Sequence, residues 1–77
     1  MTPTEAANKL RETVKEIKVI KECVDYDEDY LFVAFKTNNP AIELDPFYLV
    51  GKADGDIRCY NIFEDVSKFY NSERLDF

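Results

Sequence analysis

Carboxylates are the residue type best placed to do chemistry in this chain. Asp25, Asp27, Glu28 and Asp29 fall within five positions, and Asp54 and Asp56 flank Gly55. Paired carboxylates serve general acid–base catalysis or hold a divalent cation. The Asp-x-Asp-x-Asp run opens like a calcium loop, but such a loop needs Gly at its sixth position and Glu at its twelfth. Tyr30 and Lys36 stand there instead. The run therefore reads first as a solvated turn and second as a contact for a basic partner.

The sequence contains no His. That removes the commonest general base and every Ser–His or Cys–His nucleophile. Two cysteines, Cys23 and Cys59, are too few for a disulfide framework or a four-ligand zinc site. Both fall on expected strands and read as small core hydrophobes. Gly51 and Gly55 are the two glycines, so no phosphate-cradling loop is present. Asp54 and Asp56 sit on a turn, which exposes both to water and offers no dry pocket. These readings point away from an enzyme, and they call for no cofactor and no metal.

Net charge is −6, from 16 acidic and 10 basic residues. A nucleic-acid binder needs a basic stripe, and anionic lipid needs a basic patch, so neither direct nucleic-acid binding nor membrane docking is expected. No apolar run reaches transmembrane length and the first residues lack a signal-peptide core, which suggests a reduced, cytoplasmic protein. Six Phe and five Tyr in 77 residues give a small core large buried areas, and aromatic rings are also enriched at interfaces.

These residues need elements to position them, and the length suits one domain, residues 1–77. Thr2-Pro3-Thr4-Glu5 combines a cap, a first-turn Pro and a capping-box acid. Ala6, Ala7, Leu10, Val14 and Ile17 then recur at helical spacing, which predicts a helix over residues 3–16. Ile20, Val24 and Tyr26 alternate with Lys21 and Asp25 as in a strand, although a helix continued through Ile17, Lys21 and Val24 fits as well. Tyr30 to Phe35 is apolar at consecutive positions, as in a central strand covered on both faces by a second layer or a dimer partner.

Turn chemistry at Thr37-Asn38-Asn39-Pro40 ends that strand, and 41–45 is a connector. Phe47–Lys52 and Asp56–Tyr60 then predict a hairpin closed at Asp54-Gly55, with Gly51 at a bulge or a close approach. Asn61 and Glu64 cap a second helix with the apolar stripe Phe63, Val66, Phe69 and Tyr70. The fold class is α+β: a three- or four-stranded antiparallel meander flanked by an N-terminal and a C-terminal helix, both packed on one face.

Strand alternation separates Phe47 and Leu49 from Tyr48 and Val50. With Phe47 facing the helices, and Ile57 buried beside it, Tyr48, Val50 and nearby Tyr60 form an exposed apolar patch of the kind that marks a partner surface.

The stretch from Leu44 to Ile57, Leu-Asp-Pro-Phe-Tyr-Leu-Val-x-Lys-x-x-Gly-x-Ile, resembles a hairpin of small uncharacterised phage and prophage-type proteins. A similar Lys-x-x-Gly-x-Val turn occurs in PepSY-like domains and in small immunity-type proteins of toxin systems. The resemblance covers about a quarter of the chain and implies a bacterial or phage origin and a small binding role, with no catalytic residue.

The expectation is a non-enzymatic protein-binding module. Its partner is another protein or a second copy, met through Tyr48, Val50, Tyr60, Asp25, Asp27 and Asp29. The alternative is an acidic mimic of nucleic acid that occupies a basic groove, which requires Asp25, Asp27, Asp29, Asp54 and Asp56 to line one stripe.

Overall fold

The computed structural model describes residues 1–36 and 46–77. The turn expected at 37–40 and the connector at 41–45 lie outside the described residues, as do Leu44 and Asp45 of the resemblance.

The chain begins with α1, Pro3–Thr13. The capping box forms as its residue types dictate: Thr2 Oγ1 accepts from Glu5 N at 3.2 Å, and Thr2 N donates to Glu5 Oε1 at 2.9 Å. The helix stops at Thr13, short of the expected residue 16, with Val14 as its C-cap. Ile17 therefore joins the core from the connection and not from the helix.

Four strands follow: β1 Val19–Tyr26, β2 Asp29–Phe35, β3 Phe47–Gly51 and β4 Ile57–Cys59. Val19–Tyr26 is a strand, so the alternative of a longer first helix is set aside. β1 and β2 join through Asp27-Glu28, and Asp27 takes a positive φ of 58°. Asp tolerates that region better than a branched residue. The β3–β4 turn is closed by Gly51 N donating to Asp56 O at 2.9 Å and by Gly55 N donating to Gly51 O at 2.8 Å. Gly55 has φ 70°, which meets the requirement for backbone freedom there. A side chain at Gly51 would run into the Asp54 carboxylate, so this glycine serves a close approach.

The expected second helix is two pieces. Asn61 caps a 3₁₀ turn, Ile62–Glu64, and Asp65 caps a separate helix, α2, Val66–Asn71. Asp65 Oδ1 accepts from Lys68 N at 3.1 Å. A fifth strand, β5 Arg74–Leu75, then pairs antiparallel with β1. The sheet has the order β4-β3-β2-β1-β5. The α+β class and antiparallel meander stand, with one strand more than expected.

The helices do not share a face. Ala6, Ala7 and Leu10 of α1 pack with Cys23, Tyr30, Phe32, Ala34, Tyr48 and Val50. Ile62 and Phe69 pack on the other side with Val24, Tyr26, Leu31, Val33, Phe35 and Leu49. Strand alternation sends neighbouring residues to opposite faces, so each inner strand feeds two cores. The far face of β2 is thus covered by the chain's own C-terminal segment, which removes the need for a dimer partner there.

Candidate functional site

The expected Tyr48–Val50–Tyr60 surface does not form. Tyr48 is 3% exposed and Val50 0%, both beneath α1. Tyr60 belongs to the opposite face, half-buried against the second core. Its hydroxyl lies 3.0 Å from that of Tyr26, with the rings edge to face at 5.4 Å. The physical reason is the second layer: with helices on both faces, neither side of β3 is left for display. Phe47 and Ile57, expected in the core, are instead half-buried near the sheet's β4 side.

The acidic turn is neutralised from within. Lys52 pairs with Asp25, Lys68 with Asp27, and Arg58 with both Asp29 and Asp56. These cations arrive from the β3–β4 turn, from α2 and from β4. Asp25 shares its face of β1 with Cys23, under α1, whereas Lys68 draws Asp27 toward α2. The carboxylates therefore do not line one stripe. The hydrogen bonds that Lys52 and Lys68 donate to Asp25 and Asp27 hold their ammonium groups above the ordinary lysine range. Lys68 Nζ also lies 4.3 Å from the centre of the Tyr26 ring, a cation–π contact. Burial, and then the Tyr60 hydroxyl, push the Tyr26 phenol above its usual range.

A concavity of about 600 Å³ opens at the β3–β4 turn, lined by Glu28, Asp29, Lys52, Asp54, Asp56 and Arg58 among others. Its carboxylates are largely committed: Asp54 Oδ1 accepts from Asp56 N at 2.9 Å, and Asp29 and Asp56 bind Arg58. Among the described residues, no three His, Cys, Asp or Glu side chains are placed to hold a metal ion. The cysteines differ from each other. Cys23 is buried, and burial pushes its thiol up to about 11, whereas Cys59 is exposed on β4 and is not the core residue expected.

Sequence reasoning missed the residues that do face outward. Phe63 is 80% exposed and Tyr70 70%. Both were expected in the apolar stripe of a single helix. The break at Asp65 changes the phase, so that Ile62 and Phe69 enter the core while Phe63 and Tyr70 turn away. The signal available was Asp65 itself, a preferred cap residue inside the proposed helix. Tyr70 rests edge to face on Phe69 at 5.4 Å.

No protein-family model matches the chain. No curated protein matches it, and no solved structure does.

Among the described residues, no helix is long and apolar enough to cross a membrane.

Proposed function

We propose that this chain is a small, acidic, non-enzymatic protein-binding module whose contact surface is the segment from Asn61 to Asn71. The observation that supports it is the exposure of Phe63 and Tyr70 on one short segment. Both faces of the sheet already have covers, so these rings are surplus to the core. Large aromatic side chains supply much of the binding energy at protein interfaces. The absence of His from the sequence and the internal pairing of Asp25, Asp27, Asp29 and Asp56 support a role without catalysis. The free thiols of Cys23 and Cys59 fit a reduced, cytoplasmic setting. A phage or prophage-type origin rests on the Leu44–Ile57 resemblance alone.

The nucleic-acid mimic gains no support, because Lys52, Arg58 and Lys68 interrupt the row of carboxylates it requires.

The test places a photo-reactive phenylalanine analogue at position 63, at position 70 and, as a control, at exposed Thr13 on the opposite side of the sheet. Irradiation in a bacterial lysate is expected to give one common adduct from positions 63 and 70 and none from 13. Equal labelling from all three positions, or labelling from 13 alone, refutes this surface.

A further inference from the structure

We infer that the occupant of the Phe63–Tyr70 surface is a polypeptide segment carrying an apolar anchor flanked by Lys or Arg; this rests on the protein-binding reading above. Acidic residues adjoin both rings along the chain. Glu64 and Asp65 follow Phe63 directly, and Glu73 lies three positions beyond Tyr70. All three are exposed. The segment's own cations are held by carboxylates outside it. Lys68 is bound to Asp27 and lies over the Tyr26 ring. Arg74 donates to the carbonyls of Phe69 at 2.6 Å and Ser72 at 3.0 Å, stacks 4.5 Å from the Phe69 ring centre, and pairs with Glu22 at 3.7 Å. Each cation thus has a carboxylate outside the segment; Asp65 also acts on the Lys68 ammonium, and the charge of Glu64 and Glu73 is left over.

Charge complementarity selects the occupant. A second copy presenting the same surface would set these acids against their own kind, and like charges juxtaposed across an interface repel. A lipid headgroup layer of negative charge is repelled for the same reason. A cationic segment gains attraction from the acids and desolvates the two rings.

The experiment records backbone amide spectra of the whole chain with three short synthetic peptides: Lys/Arg flanking Leu and Phe, Asp/Glu flanking the same apolar residues, and a neutral Ser version. The cationic peptide is expected to shift resonances of residues 61–74. Raising NaCl from about 0.1 M to about 1 M, which shortens the Debye length from about 10 Å to about 3 Å, should weaken that binding at least about tenfold. The Glu64→Lys/Glu73→Lys variant should lose it while keeping a native spectrum elsewhere. If all three peptides bind equally at residues 61–74 and Phe63→Ser abolishes the effect, the surface stands and the cationic partner falls. If no peptide shifts residues 61–74, or the shifts map elsewhere, both readings fall. Shifts that grow with protein concentration alone identify a second copy as the occupant and overturn the inference.

Discussion

Replacing Tyr48 with alanine removes a ring that is 3% exposed and lies between β3 and the Ala6–Ala7–Leu10 face of α1. Truncating a buried aromatic to Ala costs about 3–5 kcal/mol, the lost transfer energy plus the cavity left behind. A chain of 77 residues has a total stability of about 4–12 kcal/mol at ordinary values per residue. The substitution therefore takes a quarter or more of the margin. At about 4–8 °C per kcal/mol for a domain this size, the Tm should fall by roughly 12–40 °C. Phe47 is half-buried and meets Phe69 edge to face at 5.7 Å. Phe47→Ala should cost less, about 1.5–3 kcal/mol, part transfer and part ring contact. Urea titrations followed by circular dichroism compare the two variants, with Tyr48→Phe as the control that keeps the ring. If Tyr48→Ala stays within about 1 kcal/mol of the wild type while Phe47→Ala loses more, the two-sided core is wrong and Tyr48 belongs to an open face.

Gly55→Val forces a branched residue to φ 70° and brings its Cβ to 2.5 Å from Lys9 Nζ, so a loss of about 1–2 kcal/mol in a thermal melt is expected, with Gly55→Asn milder. A thiol reagent at neutral pH should label Cys59 in the native protein and reach Cys23 only after denaturant is added, because Cys23 is buried and its thiol is raised to about 11. Equal labelling of both cysteines in the native state would contradict that burial. Lys52 and Lys68 have raised values in the folded state, so their contribution is complete below the ordinary lysine value of 10.5 and declines as pH climbs through the raised ones. Tyr26 acts in the same direction, since its phenol ionises more readily once unfolded. Melts above pH 10.5 should fall more steeply for the wild type than for Asp25→Asn/Asp27→Asn, and identical slopes would show that the ion pairs do not form in solution. Phe63→Ser should leave the melt within about 0.5 kcal/mol of the wild type, as expected of a ring that is 80% exposed.

Local signals carried furthest. The α1 start was legible because a capping box is written within four consecutive residues, Thr2 to Glu5. The β3–β4 turn was legible because a positive φ at Gly55 follows from residue type. Tyr30–Phe35 was read as covered on both faces from its unbroken apolar run, and it is. Phe47-Tyr48-Leu49-Val50 is also unbroken, and its Tyr48 lies in the core for the same reason, against the alternation that predicts display. What stayed hidden was long-range. Nothing near Asp27 announces Lys68, and nothing near Asp25 announces Lys52. β5 is two residues long, too short for any periodicity to register. The opposite placement of the two helices depended on which side the chain crossed after β4, and no local pattern encodes that choice.

The cover for one face of the sheet arrives late in the chain. Val24, Leu31, Val33 and Leu49 are in place once β3 is made, but Ile62 and Phe69, which shield them, come up to 18 residues after Gly51. A chain that lacks them carries a bare apolar sheet face. A chaperone, or a neighbouring nascent chain, meets this protein first through a surface that the finished molecule never shows. A released chain truncated between Gly51 and Ile62 should therefore aggregate more than one that runs through Leu75, where β5 pairs with β1.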